Sequence, residues 1–276
     1  FFKQKTAYDI MPSLVGSEMC IRDRINYLVQ FRIIQMHKLD EIAEKVKACQ
    51  NCKLCETRTK AVPGKGRFDA NVIFVGEAPG KNEDVHGEPF VGAAGKRLDM
   101  ILEDTGIRRE DVYITNIVKC RPPKNRVPTK KEEESCNDFI NQEIEIINPK
   151  IICVMGNTAY GTLLDGKEIT KNHGKIVEKD GRKFFVTFHP AATIYNQKLV
   201  DELKEDFKKL AKFLDKGEEV KQYEDRRCDF CMSKTSHEVV VMPKVVTRKR
   251  RWLYKCTECN HERWLVPYRT VAESLY

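Results

Sequence analysis

Eleven cysteines occur in this chain, and several have the spacing of metal ligands. Cys49 and Cys52 form a C-x-x-C pair in CQNCKLC, Cys120 follows an apolar run, and Cys136 comes sixteen positions later. Together they supply four thiolates, the ligand number of a [4Fe–4S] cluster and also of a structural zinc site. The spacing alone leaves both metals open. Cys153, inside KIICVMG, fits a buried thiol without a ligand role better than these four do.

A second set of cysteines lies near the end of the chain. Two C-x-x-C pairs, in CDFC and CTEC, are separated by twenty-four residues, a pattern typical of one zinc held in a β-ribbon. The segment HEVVVMPKVVTRKRRWLYK between them predicts two strands around a basic turn, for which nucleic-acid contact and docking on a protein are both open. The predicted zinc ligands are Cys228, Cys231, Cys256 and Cys259.

Polar side chains suited to catalysis follow the predicted strands. Glu77 lies in GEAPG after the first strand, Asn116 ends the second, and His189 follows the fourth in HPAA. In an open parallel sheet, the loops at the carboxyl ends of the strands converge on one crevice. We therefore expect a carboxylate, an amide and an imidazole to lie at one edge of the sheet.

The elements that would position these residues alternate between strands and helices. Four apolar, β-branched runs predict buried strands, and stretches with helical apolar spacing separate them. This alternation predicts an α/β fold with three α/β/α layers around a four-stranded parallel sheet. Strands are expected at 71–76, 112–118, 150–156 and 183–188, and helices at 38–49, 95–106, 132–148, 157–164 and 198–214.

The composition limits the class of protein. The 276 residues include 49 Lys and Arg against 41 Asp and Glu, a net charge of +8 that fits a polyanionic partner and a solvated surface equally well. No run of eighteen apolar residues occurs, so we predict no membrane span. Cysteines in C-x-x-C pairs without a signal peptide indicate metal sites in a reducing compartment, and we expect a cytoplasmic, nucleoid-associated protein.

The first residues are expected to be foreign to the fold. Common sequencing-library adapters read in frame encode KQKTAY (3–8) and LVGSEMCIRDR (14–24), so residues 1–24 are excluded from the fold prediction. Met36 is the expected start, and a genuine N-terminal extension is the alternative. The predicted organisation is a non-native extension over 1–35, a main domain over 36–215, a linker over 216–225 and a zinc ribbon over 226–276.

Five ordered motifs resemble the family 4 uracil-DNA glycosylases, the iron–sulfur enzymes of archaeal type. They are ACQNCKLCETRT, FVGEAPGKNED, GEPFVGAAGK, VYITNIVKCRPPKNR and FHPAA, and they lie within 38–214. The resemblance implies an enzyme that flips uracil out of DNA and hydrolyses its N-glycosidic bond, leaving an abasic site for base excision repair. It also implies iron rather than zinc in the first cysteine set, with a structural [4Fe–4S] cluster on Cys49, Cys52, Cys120 and Cys136. It does not extend to the predicted zinc ribbon.

The resemblance also implies roles for residues around the base. Phe90 would stack on the flipped uracil, with a core phenylalanine as the alternative. Asn116 would accept from uracil N3–H and donate to O4, with a turn asparagine as the alternative. His189 would stabilise the charge that develops on O2, and a structural histidine is the alternative.

Hydrolysis of the glycosidic bond also needs groups that stabilise the positive charge on the sugar and orient the attacking water, and two carboxylates are candidates. Family 1 of the superfamily carries Asp two residues after the first glycine of this loop, where the present chain has Ala78. Glu77 and Glu83 must therefore stabilise the cation or orient the water, in a division that the resemblance leaves open. An exposed acid is the alternative for Glu83. Gly76 and Ala78 are expected to contact the substrate, because small residues allow close approach of the backbone.

Contacts with DNA are expected around this site. Ile194 and Tyr195 could wedge into the vacated stack, with loop packing as the alternative. The partner is uracil-containing DNA, with a sliding clamp or another repair protein as further candidates, and we expect a monomer. The rival functions are a catalytically silent nucleic-acid-binding protein that acts through the ribbon and an iron–sulfur electron carrier. Residues expected to contact phosphates, or else to carry solvated surface charge, are Lys119, Arg121, Lys124 and Arg126.

Overall fold

The computed structural model describes residues 21–215, 222–227, 234–241, 252–256 and 262–265. The predictions for residues 1–20 and for the zinc ligands Cys228, Cys231 and Cys259 lie outside these ranges, as does the side chain of Cys256. In the described ranges, no helix combines the length and the apolar character that a membrane crossing would need.

A mixed sheet of six strands forms the centre of the main unit. Its spatial order is β1-β3-β2-β4-β6-β5, in which β3, β2, β4 and β6 run parallel and the two edge strands run antiparallel to their neighbours. The expected four-stranded sheet is therefore corrected to six strands with a parallel centre. The strands are β1 (Lys65–Gly66), β2 (Val72–Gly76), β3 (Tyr113–Asn116), β4 (Ile151–Met155), β5 (Ile176–Lys179) and β6 (Arg182–Thr187).

The central strands are buried along their whole length. Every residue of β2, β3 and β4 is buried, as expected of parallel strands that are covered on both faces. The chain order of the parallel strands reverses between β2 and β4, and an open sheet binds its ligand at such a switch point. A ligand site is therefore expected at the carboxyl edge of the sheet, near this switch point.

Helices connect the strands, and α5 shows how the sequence determines a boundary. Thr129 accepts a hydrogen bond from the backbone N–H of Glu132, whose side chain accepts from the N–H of Thr129, so a capping box begins the helix. Asn148, in the left-handed conformation, ends it. The helices are α1 (Ile21–Ala48), α2 (Leu54–Thr57), α3 (Lys81–His86), α4 (Ala93–Asp104), α5 (Lys130–Ile147), α6 (Asn157–Leu164), α7 (Ile169–Asn172), α8 (Ala192–Tyr195) and α9 (Lys198–Asp215).

A fully buried ion pair joins β3 and its following loop to α5. The ammonium of Lys119 donates to Glu143 Oε2 at 2.7 Å, and both side chains are 1% exposed. Thr115 donates to the same carboxylate at 2.9 Å, and the hydroxyl of Tyr113 donates to its other oxygen at 3.3 Å. The prediction that Lys119 contacts DNA phosphates is therefore wrong, because its ammonium group is buried and paired with Glu143.

The described residues divide into two compact units. One comprises residues 21–100 and 108–203 and contains the main sheet; the other comprises 101–107 and the described parts of 204–276. The second unit contains a four-stranded antiparallel sheet of order β10-β9-β8-β7. The two strands expected between the cysteine pairs are present as β8 and β9, while the zinc ribbon itself stays a prediction. The strands are β7 (Gln222–Arg227), β8 (Lys234–Val241), β9 (Trp252–Cys256) and β10 (Glu262–Leu265).

Candidate active site

A pocket of about 280 Å³ opens at the carboxyl edge of the main sheet. The loops after β2, β3 and β6 contribute its walls, which is the convergence that the order of motifs predicts. The structure thus brings together residues that lie far apart in the sequence. Six of the predicted site residues line the pocket, namely Glu77, Ala78, Glu83, Phe90, Asn116 and His189.

Asn116 ends β3 with an unpaired acceptor. Its side chain is 2% exposed, and in the described ranges its Oδ1 is buried without a hydrogen-bond partner. Gly76 lies beneath it: a Cβ there would come within 2.4 Å of Oδ1 and 2.7 Å of Phe90 Cζ. The glycine therefore allows the amide and the aromatic ring to meet. A buried acceptor without a donor costs about 1–3 kcal/mol, so the site favours a ligand that brings an N–H.

Phe90 has an unusual backbone conformation at the pocket. Its φ of 55° lies in the left-handed region, which bulky residues rarely adopt. Gly95 makes this possible, because a Cβ at that position would lie 1.8 Å from the carbonyl oxygen of Phe90. Arg109 Nη2 donates to the carbonyl oxygens of Pro89 and Phe90 at 3.2 Å each. Together these neighbours fix the ring, with its centroid 5.6 Å from that of His189.

The imidazole of His189 is oriented as a neutral donor. Its Nδ1 accepts the backbone N–H of Ala191 at 3.2 Å, which assigns the proton of the neutral ring to Nε2. Burial lowers the pKa of His189 to about 4, and the charge of Glu83 acts weakly in the opposite direction. The ring can therefore donate from Nε2 at neutral pH without carrying a charge.

The two carboxylates have different surroundings. Glu83 lies in the first turn of α3, is 8% exposed, and accepts the backbone N–H of Gly92 at 2.8 Å. The alternative of an exposed acid is therefore wrong for Glu83. Glu77 is partly buried and accepts a hydrogen bond from the hydroxyl of Thr158, at the beginning of α6. Each carboxylate thus has one oxygen engaged by the protein.

Five thiols from separate parts of the chain lie near one another. The pKa of Cys136 is raised to about 11, mainly by burial; Lys119 acts in the opposite direction, and the charges of Cys120 and Cys52 contribute to the rise. Burial also raises the pKa of Cys52, and Cys49 and Cys55 add to that effect. Buried thiols that repel each other as thiolates are suited to a metal centre, because bound cations favour the deprotonated form.

Across the ranges that the structure describes, no three His, Cys, Asp or Glu side chains are close enough together to hold one metal ion. Cys153 is fully buried in β4.

Arg58 connects the two halves of the cysteine group. Its Nη1 donates to Cys120 Sγ at 2.9 Å, while Nη2 donates to the carbonyl oxygens of Cys49 at 2.7 Å and Lys47 at 3.1 Å. One guanidinium therefore joins the end of α1 to the loop after β3. Burial raises the pKa of the Cys120 thiol, whereas the hydrogen bond and the charge of Arg58 lower it.

The residues expected at the DNA backbone are distributed unevenly. Arg126 lines the pocket but forms a bidentate pair with Glu132, at 2.8 and 2.7 Å, that lowers the pKa of that carboxyl to about 2. Lys124 is exposed, and Arg121 is partly buried with its Nε donating to Asn125. Ile194 also lines the pocket and is 40% exposed. These positions stay compatible with contacts to a bound strand.

Comparison with known proteins identifies the family. Residues 63–215 match the model of the uracil DNA glycosylase superfamily. A type-4 uracil-DNA glycosylase of Archaeoglobus fulgidus is 45% identical over 190 residues, which cover 66% of this chain and 96% of that protein. One of Thermotoga maritima is 45% identical over 185 residues, covering 64% and 95%. The chain belongs to the uracil-DNA glycosylase superfamily, in its type-4 branch. The family resemblance read from the five motifs is thereby confirmed.

In this type-4 glycosylase, three residues that the motifs did not single out support the site. Arg109 holds the backbone at Phe90, Thr158 contacts Glu77, and Arg58 contacts Cys120. Arg58 lies in the first motif, ACQNCKLCETRT, so its position beside the cysteines could have indicated a role. Thr158 lies two residues after the end of the third predicted strand, whereas no local signal distinguishes Arg109.

Proposed function

We propose that this chain is a monofunctional uracil-DNA glycosylase that hydrolyses the bond between uracil N1 and the sugar C1′ and leaves an abasic site. The observation that carries the proposal is the buried, unpaired Oδ1 of Asn116 in a pocket that also contains Phe90 and a neutral His189. A uracil base supplies the N–H, the flat face and the carbonyl oxygen that these three groups require. The proposed role is base excision repair of deaminated cytosine.

Asn116 and Phe90 account for recognition of the base. The free Oδ1 of Asn116 accepts from uracil N3–H, and the amide nitrogen donates to O4. Cytosine presents the opposite pattern, so it would leave the buried amide unpaired, which is a strong form of discrimination. The ring of Phe90 stacks on the pyrimidine, a contact of about 1–3 kcal/mol for any base. Gly76 and Ala78 keep the backbone close to the base.

His189 and the carboxylates account for bond cleavage. As the glycosidic bond breaks, negative charge builds on uracil O2, and a donor that is already oriented stabilises it without reorganisation. The Nε2–H of His189 is such a donor. Glu77 and Glu83 face the positive charge on the sugar and the attacking water. Ala78 carries no acid, so this part of the chemistry falls to the two glutamates.

The nucleotide must leave the duplex before it can enter the pocket. Extrusion costs a few kcal/mol, which contacts in the pocket offset. Ile194, on the pocket wall, and Tyr195 beside it in the sequence are assigned to the vacated stack. Lys124 and Arg126 beside the pocket are the candidates for phosphate contact, which holds the strand without reading its sequence.

Four of the thiols are assigned to a [4Fe–4S] cluster. Cys49 and Cys52 at the end of α1, Cys120 after β3 and Cys136 on α5 would hold it, and Arg58 would donate to the Cys120 thiolate. When bound, the cluster supplies a covalent brace between these segments and takes no part in the hydrolysis. Cys120 is four residues after Asn116, so the brace lies close in sequence to the base-reading amide.

The C-terminal module is assigned a supporting role. Cys228, Cys231, Cys256 and Cys259 are proposed to hold one zinc ion, and the basic turn between the pairs is proposed to add affinity for DNA. We further propose that the protein acts as a monomer on nucleoid DNA in the cytoplasm. A sliding clamp or another repair protein is a further candidate partner.

A cleavage assay tests the function. A labelled oligonucleotide with a single dU is incubated with the purified protein, heated in alkali and resolved on a denaturing gel. The expected result is one alkali-dependent break at the dU, with no break before alkali and none in the dC or dT control. Intact oligonucleotide from iron-loaded protein would overturn the proposal.

A further inference from the structure

The loop after β4 touches catalytic groups but has no assigned part in the reaction. Gly156 has a φ of 93°, and a Cβ on it would lie 3.1 Å from the Cβ of His189. Two residues later, the hydroxyl of Thr158 donates to Glu77 Oε2. Residues 156–158, where the loop passes into α6, therefore contact both the proposed oxyanion donor and one of the two carboxylates. Neither Gly156 nor Thr158 lines the pocket.

The backbone carbonyl of Thr158 is itself contacted by the side chain of Thr162. The hydroxyl of Thr162, one turn later on α6, lies 2.8 Å from the carbonyl oxygen of Thr158 and 2.9 Å from Glu133 Oε2. Glu133 is a buried residue in the first turn of α5, the helix that also carries Cys136. A continuous series of polar contacts thus runs from α5 through α6 to Glu77.

We propose that Thr158 is a positioning residue for the reaction: its hydroxyl fixes the direction of the Glu77 carboxylate, so that the second oxygen of Glu77 faces the sugar or the attacking water. The inference rests on the proposed function. A carboxylate on a flexible side chain can rotate, and a hydrogen bond to one oxygen restricts the other to a narrow set of orientations. Displacements of about 1 Å at a reacting group are known to cost on the order of 100-fold in rate.

The hydrogen bond between Thr158 and Glu77 is a tertiary contact and not part of the local capping of α6. Thr158 and Glu77 are 81 positions apart, and the two are brought together by the switch point between β2 and β4. A threonine at the start of a helix commonly caps its own backbone. Here Gly156 occupies the N-cap, and the hydroxyl of Thr158 is directed to another element instead.

The test is a double-mutant cycle read by single-turnover cleavage of the dU oligonucleotide. Thr158→Val keeps the shape and removes the donor, Thr158→Ser keeps the donor, and both are made in the natural and in the Glu77→Gln background. Thr105→Val is the matched control, because the Thr105 hydroxyl, just after α4, bonds only to carbonyl oxygens in the last turn of that helix among the described contacts. Thermal melting and DNA affinity are measured for every variant.

The expected result has three parts. Thr158→Val lowers the cleavage rate constant about 10- to 100-fold at unchanged DNA affinity, as expected for a hydrogen bond to a charged group. Thr158→Ser restores most of that rate, and in the Glu77→Gln background Thr158→Val changes the rate by less than about twofold. Thr105→Val cleaves like the natural protein.

Two results would overturn the inference while leaving the glycosylase function intact. One is a wild-type cleavage rate for Thr158→Val. The other is an equal loss of cleavage rate from Thr158→Val in the wild-type and the Glu77→Gln backgrounds, which would indicate a general structural effect. Natural activity of Glu77→Gln would remove the inference together with the role of Glu77. A natural protein that leaves the dU oligonucleotide intact would instead remove the proposed function.

Discussion

Acidification should destabilise this protein through His189 in a way that one substitution reveals. In the fold, the pKa of His189 is lowered to about 4 from an ordinary value of 6.5, mainly because the ring is buried. Between these two pH values the unfolded chain binds more protons than the folded one, so the free energy of unfolding falls as the pH falls. At pH 5 this lowers the free energy of unfolding by about 2 kcal/mol. That value is an upper limit, because water in the open pocket screens part of the charge.

Urea denaturation of the natural protein and of His189→Gln, at pH 7, 6 and 5, measures this contribution. Other titrating groups act equally in both proteins, so the difference between their pH dependences isolates the imidazole. We expect the natural protein to lose up to about 2 kcal/mol more than the variant between pH 7 and pH 5. The reasoning would be refuted if the free energy of unfolding depended on pH in the same way in both proteins, or if His189 titrated near pH 6.5 by NMR. The cleavage rate of the natural protein should likewise show no inflection near pH 6.5.

Other variants test the remaining assignments. Asn116→Ala should lower single-turnover cleavage about 100-fold and keep its iron-dependent absorbance, because the amide is proposed to recognise the base and is not among the proposed metal ligands; a wild-type rate would contradict its proposed role in base recognition. Cys136→Ala should lose iron and solubility, whereas Cys153→Ala should keep both, and an iron-replete Cys136→Ala would contradict the ligand assignment. Arg58→Gln should release iron to a chelator faster than the natural protein, and equal release rates would exclude a role in cluster retention. Deletion of 220–276 should weaken DNA binding and flatten its dependence on salt, and an unchanged slope would leave the module without that role.

The parallel centre of the sheet was accessible from the sequence because those strands are buried on both faces. The runs that form β2, β3 and β4 are almost uninterrupted in their apolar character, and burial of that kind leaves little freedom in the choice of residues. The edge strands β1 and β5 were not predicted, because they are short or partly exposed. β1 has only two residues, and β5 alternates between exposed and half-buried positions.

One edge strand did have a usable signal. Asp180 and Gly181, with φ angles of 51° and 73°, form the two-residue turn between β5 and β6. An Asp-Gly pair between apolar runs is among the strongest indications of a hairpin. The polar residues around it in EKDGRK hide the pairing, because the outer face of this hairpin is solvated.

The meeting of these side chains in one pocket could be predicted from motifs that follow strand ends, but the residues that support them could not. Lys119 was expected on the surface because lysine is rarely buried, and its partner Glu143 lies 24 positions later on α5. Only the packing of α5 against β3 brings that carboxylate under the ammonium. The same holds for Arg58 and Cys120, which are 62 positions apart. Pairings of this range depend on tertiary structure and leave no local pattern.

The close approach of Gly95 to the carbonyl of Phe90 limits how this enzyme can be redesigned. A methyl group at position 95 would collide with that oxygen and turn the aromatic ring away, although no atom of Gly95 lines the pocket. Saturation mutagenesis should therefore find position 95 as intolerant as a residue that meets the substrate. Engineering toward larger bases would need to replace the Phe90 side chain by a smaller one and keep the turn that carries it.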